Sequence, residues 1–564
     1  MGPIFRSVRW LIGLSVLALP FGTSSCARGQ SNLEASVIRF EDATKASGLE
    51  FRHEDGSSGK NFLVELVGAG AATIDADNDG WLDVYLLNGS ALPGATLDQI
   101  PTDRLFRNRQ DGSFQDVTLE AGCVDKNYGL GVTVGDFNND GLEDICITNF
   151  GEDVLLRNNG DGTFSDVTLQ AGIDDGNRFG AGVIFMDIDN DNDLDLFSAN
   201  YVKFDFERHE RLAPKAFPYS PGPKDFPPDS DSLFLNNGDG TFTDVSGKSG
   251  ISSVAGPSMG CIAGDFDSDG DWDIFVCCDG APNLLYRNNG HGVFTEEALQ
   301  LGVAYDLKGA ANGSMGVDAA DLDGDGLDDL IITDYSDQLM MHFRSLGGGL
   351  FEDVARVSKI GSEVLPHVKW GIGLADFDRD GDRDAFICNG HLLENAKELD
   401  PRTDYGVANC VMMNIGKGTF RSVTSSSGDA LKQIASSRGA VMDDLDNDGD
   451  IDVAILNCDA ISQYLRNVTV TTNPWISLDL RGRKANRSAI GARVTVDAGG
   501  KKQVSEVRSG RGYQSHYGSR LHFGWKNNES FADITIQWPT GELQMLKGVR
   551  PNQILTIVQD VAQE

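Results

Sequence analysis

The stretch Asp75-Ala-Asp77-Asn-Asp79-Gly80-Trp-Leu-Asp83, followed at once by the apolar run Val84-Tyr-Leu-Leu87, decides the reading of the chain. It places carboxylates at positions 1, 3, 5 and 9 of a short loop, with glycine at 6, ahead of a segment that reads as buried strand. Oxygen donors so spaced, with the backbone carbonyl of the seventh residue, can wrap a hard cation at ~2.3–2.6 Å, which suits calcium. Glycine, lacking Cβ, takes the positive φ that such a turn demands.

The loop returns six more times. The copies are Asp136, Asn138, Asp140, Asp144; Asp187, Asp189, Asp191, Asp195; and Asp265, Asp267, Asp269, Asp273. They continue with Asp321, Asp323, Asp325, Asp329; Asp376, Asp378, Asp380, Asp384; and Asp444, Asp446, Asp448, Asp452. Asn192 stands for the glycine in the third loop and can share its left-handed conformation. Asn138 removes a carboxylate from the second, which weakens that site, because affinity follows ligand charge. A recurrence of roughly 60 residues holds four strands and their turns, one propeller blade.

An EF-hand needs a bidentate Glu at its twelfth position and flanking helices. Here that position is Leu86, Ile147, Ser198, Val276, Ile332, Ile387 and Ile455, all in apolar, strand-like segments. Each loop therefore joins two strands as a hairpin. A second hairpin follows, typified by Leu-Leu-Arg-Asn-Asn-Gly-Asp-Gly-Thr-Phe at 155–164, with relatives at 105–118, 233–246, 284–297, 340–355 and 411–424. After Asp452 the chain reaches Tyr464-Leu-Arg-Asn467 and lacks the Gly-Thr-Phe strand, whereas Val37-Ile-Arg-Phe-Glu-Asp-Ala-Thr44 supplies one at the other end. An N-terminal strand completing the last blade closes the ring and leaves no open edge. The expectation is an all-β chain, with a seven-bladed β-propeller over 35–470 and a small C-terminal β-sandwich or barrel over 471–564.

Composition agrees. The 564 residues carry 85 acidic and 47 basic side chains, a net charge of −38, which repels phosphate backbones and argues against nucleic-acid binding. With 40% hydrophobic residues and 67 glycines the chain can bury a large, turn-rich core. Arg6 and Arg9 precede an apolar run from Trp10 to Leu19, and small residues lead to Cys26, as in an export signal over 1–26. Ser24-Ser25-Cys26 resembles a lipoprotein box with Thr23 where Leu is usual, so a lipid on Cys26 and plain signal cleavage are both open. Either places the mature protein outside the cytoplasm, secreted or on the cell envelope. The remaining eight cysteines have irregular spacing and no CxxC, which indicates buried thiols with room for one or two bridges.

The loops and Gly-Thr-Phe strands resemble the FG-GAP/VCBS repeats of integrin-α-type propellers. The segments Asn473-Pro-Trp475, Asn486-Arg-Ser-Ala-Ile-Gly-Ala-Arg493, Ser509-Gly-Arg-Gly-Tyr513, Leu521-His-Phe-Gly524 and Trp538-Pro-Thr-Gly541 resemble the ASPIC/UnbV domain. Together they are similar to the cartilage-acidic-protein-like family, and Phe51-Arg-His-Glu-Asp-Gly, Phe62-Leu-Val-Glu65 and Asn389-Gly-His391 resemble its bacterial members. The resemblance implies an extracellular calcium-binding protein linked to adhesion or matrix contact, and no settled activity.

The C-terminal module holds 13 Lys/Arg against 8 Asp/Glu, so it can dock on an acidic propeller rim, meet an external anion or simply be solvated. The repeat is interrupted at 201–230 by six prolines among aromatic residues, a loop that cannot extend the sheet and either caps one face or merely pads it. Gly256-Pro-Ser258-Met-Gly260 matches a nucleophile elbow, but it opens a strand of the repeat, where other copies read Gly313-Ser-Met-Gly316 and Trp370-Gly-Ile-Gly373. His53, His367 and His391 are the histidines to test as site residues. The leading expectation is a scaffold holding about seven Ca²⁺ and binding an extracellular protein or glycan. The alternative is an enzyme acting on carbohydrate or a small molecule at a propeller face, near the 201–230 loop, His53 and His391.

Overall fold

The computed structural model describes residues 38–97, 99–173, 176–498, 500–526 and 531–560. The expected signal segment, with Arg6, Arg9 and Cys26, lies outside the described residues. Among the described residues, 40–467 form five four-stranded antiparallel sheets and one eight-stranded sheet, in which two further four-stranded arrays are joined where Arg178 and Phe179 pair with Gly151 and Phe150. Their inner strands are Ala71–Ile74, Tyr128–Gly135, Arg178–Met186, Ser258–Gly264, Val317–Ala320, Lys369–Ala375 and Ser437–Asp443. Each runs into an aspartate loop, and every second strand begins on the ninth loop residue: Asp83, Asp144, Asp195, Asp273, Asp329, Asp384 or Asp452. The hairpin reading of the loops is thus correct, and no helix flanks them.

The last array is completed by Phe40–Asp42, which pairs antiparallel with Gln463–Asn467 in the register Phe40↔Asn467. Ring closure is also visible at the axis, where inner strands approach closely. Gly439 donates its N–H to Ala69 O at 3.1 Å, Gly70 to Leu130 O at 2.8 Å, and Gly260 to Met315 O at 2.7 Å. The approach explains the recurring inner-strand glycines. A Cβ on Gly371 would lie 2.5 Å from Arg438 O, and one on Gly439 would lie 2.6 Å from Gly70 Cα. The fold is a β-propeller.

Residues 475–558 form two sheets. One has Trp475–Arg481 between Leu521–Gly524 and Gln553–Val558, and the other has the order Lys501–Glu506, Arg493–Ala498, Ala532–Gln537, Leu543–Val549. Ile476, Leu478, Val494, Val496, Ile534 and Ile536 lie in one core, and the alternation buries one face of Arg493–Ala498 and of Ala532–Gln537. The module sits on the aspartate-loop side of the ring. Lys501 reaches Asp382 at 2.6 Å, Lys526 reaches Asp380 at 2.7 Å, and Arg520 donates to Gly80 O at 2.8 Å.

Between its strands the module extends residues 507–520 down the propeller axis, bonded to all seven inner strands. His516 donates to Ala71 O at 2.9 Å, Gln514 O accepts from Val132 N at 3.1 Å, and Gly512 exchanges both backbone bonds with Val317. Ser509 Oγ accepts from Phe185 N at 3.3 Å, and Arg508 Nε donates to Ala263 O at 3.0 Å. Tyr517 Oη donates to Ile372 O at 3.1 Å, and Gly518 N to Asp443 Oδ2 at 3.1 Å. This segment satisfies inner-strand groups that would otherwise face an open channel.

The 201–230 insertion differs from the irregular loop expected. Phe206–Ala216 is an α-helix, begun by Asp205, whose side chain accepts the Arg208 N–H at 2.6 Å. Asp229–Ser230 pairs with Ala255–Gly256. Phe62 meets Phe206 edge-on at 4.7 Å and Phe204 tilts against Phe226, while His209 lies edge-on to Phe62 and stacks on Phe226, so aromatic burial holds the insertion down. All eight cysteines among the described residues are buried free thiols, Cys277 and Cys278 included, and no bridge forms between them.

Candidate functional site

Each aspartate loop is organised by its own backbone. The first carboxylate accepts N–H bonds from the fifth and sixth residues: Asp75 from Asp79 at 2.9 Å and Gly80 at 3.0 Å, and Asp376 from Asp380 and Gly381, both at 2.9 Å. The fifth carboxylate accepts from the seventh N–H, as Asp79 does from Trp81 at 2.9 Å. The sixth residue is left-handed throughout, with φ 86° at Gly80 and 71° at Asn192, which answers the substitution in the third loop. The fourth residue is left-handed too, as at Asn78, Asn139, Asn190 and Asn447, and sequence reading missed that requirement.

This folding converges the predicted ligands. Asp75, Asp77 and Asp79 bring carboxylate oxygens within 4.8 Å of one another, as do Asp187, Asp189 and Asp195; Asp265, Asp267 and Asp269; Asp321, Asp323 and Asp325; and Asp376, Asp378 and Asp384. These groups could hold a metal ion. In the second loop Asn138 Nδ2 donates to Asp140 at 3.0 Å, so the amide spends itself on a carboxylate.

Electrostatics favour a cation. Burial, with neighbouring carboxylates adding to it, raises Asp83, Asp144 and Asp273 to about 8. Burial likewise raises Asp376 and Asp444 to about 8, and Asp136, Asp187, Asp265 and Asp321 to about 6. Asp189 Oδ1 and Asp446 Oδ1 are buried with no hydrogen-bond partner, the arrangement that a bound cation would satisfy. Some loops are partly neutralised from within: Arg107 lies 3.2 Å from Asp77, and Arg287 pairs with Asp267.

A polar residue not singled out from sequence links the loops. The asparagine closing the third strand of six arrays donates its Nδ2 to the second residue of the preceding array's loop. These bonds are Asn108 to Leu445 O at 2.7 Å, Asn158 to Ala76 O, Asn236 to Phe137 O and Asn288 to Ile188 O at 2.8 Å. Asn414 to Leu322 O at 3.1 Å and Asn467 to Phe377 O at 2.9 Å complete them. The signal was the recurring Asn of the Leu-Leu-Arg-Asn motif.

A cavity of ≈ 390 Å³ opens at the other end of the inner strands, lined by Leu63, Leu66, Tyr201, Asp279, Tyr335 and Lys224, with Trp370 at its base. The insertion walls it through 219–225, so its capping role is the one the structure displays. Trp370 is held by Arg438, whose guanidinium lies 4.1 Å from the ring, and by Tyr513 of the axial segment, 5.2 Å between ring centres. None of His53, His367 and His391 lines this cavity. His53 and His391 flank Arg438; burial first, then that charge, lowers them to about 3 and about 4. His367 Nδ1 meets Thr403 Oγ1 at 3.0 Å. Ser258 lies in an inner strand, as the repeat reading required.

With this geometry the comparisons agree. The FG-GAP-like repeat matches residues 75–147, 136–198, 226–276, 265–332 and 321–387, and the domain described as ASPIC and UnbV matches 482–564. The chain belongs to the FG-GAP repeat proteins with an ASPIC/UnbV domain. This FG-GAP and ASPIC/UnbV chain is 28% identical over 326 residues to cartilage acidic protein 1 of Homo sapiens, covering 56% of the chain and 46% of the relative. It is 24% identical to that of Xenopus tropicalis, over 55% and 46%. The chain thus spans about half the length of the curated relatives it matches. Among solved structures, the BP39L lectin from Burkholderia pseudomallei is similar at 10% identity and TM-score 0.43, covering 72% of this chain and 96% of that one. No helix among the described residues is long and apolar enough to cross a membrane.

Proposed function

We propose that this FG-GAP and ASPIC/UnbV protein is an extracytoplasmic calcium-binding propeller that serves as a scaffold for a protein or glycan ligand. The carrying observation is the backbone-organised convergence of carboxylates in the loops, including the buried, partnerless oxygens of Asp189 and Asp446. The first, third, fifth and ninth side chains of each loop, from Asp75, Asp77, Asp79 and Asp83 to Asp444, Asp446, Asp448 and Asp452, hold the ion with the seventh carbonyl. The ion supplies charge neutralisation and rigidity, while the chain's own bonds orient the ligands. Similarity to proteins named for cartilage, together with the export-like N-terminus, supports the extracytoplasmic setting.

The enzyme reading stays second, because the one face cavity described above is largely apolar and the histidines stand outside it. The test is capture of glycans and extracellular proteins on arrays by the full chain, with calcium and with chelator. Calcium-dependent capture without turnover is expected. Catalytic consumption of an arrayed ligand would reverse the reading.

A further inference from the structure

The cavity beneath the insertion has a charge arrangement that neither the loops nor the scaffold reading uses. Asp279 Oδ2 accepts from Tyr201 Oη at 2.7 Å, whereas its other oxygen lies beside Gly313 and accepts no hydrogen bond among the described residues. Lys224 lies over Gly280, its Nζ 3.4 Å from where a Cβ on that glycine would stand. Among the described residues Lys224 makes no ion pair within 4.0 Å. Asp279 and Lys224 therefore border the cavity as opposite charges without closing on each other, while the second lining carboxylate, Asp225, already accepts the Gly222 N–H at 3.0 Å. The apolar part of the wall includes Leu63, Leu66, Leu392 and the Tyr335 ring.

A cavity of ≈ 390 Å³ falls in the range of small-molecule sites, which are mostly apolar with a few placed polar groups. A neutral apolar ligand would leave both charges unanswered, and a simple amine would meet Lys224 as a like charge. A zwitterion with an apolar side chain answers Asp279, Lys224 and the apolar wall together. We infer that the cavity is a site for a free apolar α-amino acid, its ammonium on Asp279 among the tyrosine rings, its carboxylate on Lys224 and its side chain against Leu63, Leu66 and Leu392. Tyr201 is a positioning residue, since its hydroxyl holds Asp279 with one oxygen toward the cavity. Burial raises the Asp279 carboxyl above its ordinary value, a penalty that an ammonium partner relieves.

The inference is independent of the calcium loops, which lie at the opposite ends of the inner strands. Its test is calorimetry on the calcium-loaded full chain with L-leucine, N-acetyl-L-leucine and L-leucinamide. Loss of either charge is expected to weaken binding about tenfold or more, as for other charge-assisted contacts. Asp279→Asn should remove the difference between L-leucine and its N-acetyl form. Lys224→Met should remove the difference between L-leucine and the amide. Lys224 is exposed, so Lys224→Met keeps the question answerable if Asp279→Asn melts early. Absence of L-leucine and L-phenylalanine binding at about 10 mM, or equal binding of the capped forms, would overturn the assignment while leaving the scaffold reading untouched.

Discussion

Asn158 Nδ2 donates to the carbonyl of Ala76 at 2.8 Å, across 82 residues and from one propeller array to the next. The same amide donates to Glu143 O at 3.2 Å, and the Asn158 N–H is held by Asp144 Oδ1 at 2.8 Å. One side chain thus ties its own aspartate loop to its neighbour's, and an aspartate read as a metal ligand also anchors the tie. The fifth array has Ser345 at this position, bonded through its N–H to Asp329 at 2.9 Å but too short to span to the preceding loop.

Replacing Asn158 by Ala leaves a buried carbonyl unpaired and removes three side-chain bonds, to Ala76 O, to Glu143 O and from Gly160 N. The expected loss is about 1–3 kcal/mol, read as a lower urea midpoint with unchanged slope. An unchanged midpoint would show that the loops are held together by other means.

The axial segment rests on a buried ion pair. Arg511 donates to Asp318 Oδ1 through Nε at 2.8 Å and Nη2 at 2.5 Å, and Asp318 is fully buried. Tyr517 Oη, Leu374 N and Ala319 N also donate to Asp318, at 3.0, 2.7 and 2.8 Å. Arg511→Ala strands that carboxylate and is expected to cost about 3–5 kcal/mol. Limited proteolysis should then release the C-terminal module before the propeller is cut. Arg511→Lys, which keeps charge but not the two-pronged contact, should fall between the two.

Calcium stabilisation should depend on pH. Asp83, Asp144 and Asp273 are raised to about 8 from an ordinary value near 4. Without calcium the folded state therefore binds protons more tightly than the unfolded state, and these groups lose stability as pH rises through that window. Calcium competes with those protons, so the calcium-induced rise in melting temperature should be larger at about pH 8 than at about pH 5. His53, His516 and His522, lowered to about 3 chiefly by burial, cost stability as pH falls below about 6.5. That cost is common to both states and cancels in the increment. Equal increments at the two pH values would count against the loops as ion sites.

The parts of this architecture that were legible from sequence are local. An aspartate loop, its glycine or asparagine and the strand it feeds lie within a dozen residues, and Phe40–Asp42 was recognisable because it supplied the strand missing after Asn467. The inter-array role of Asn158 was hidden, because the same residue also reads as a turn signal and its partner is Ala76. Ser509-Gly-Arg-Gly-Tyr513 carries no period, so nothing announced a segment bonded to seven strands at once. The Phe206–Ala216 helix was obscured by the surrounding prolines, and the cavity draws on residues from Leu63 to Leu393, whose proximity only ring closure creates.

The central claim is that cations clasped by these aspartates hold the ring. Calorimetric titration of the metal-stripped full chain with calcium, with melting followed in parallel, tests it most directly. Binding of several ions per chain, with a melting temperature that climbs with free calcium, is predicted, since ligands bound only by the folded state stabilise it by mass action. No heat of binding, together with an unchanged melt in chelator, would contradict it.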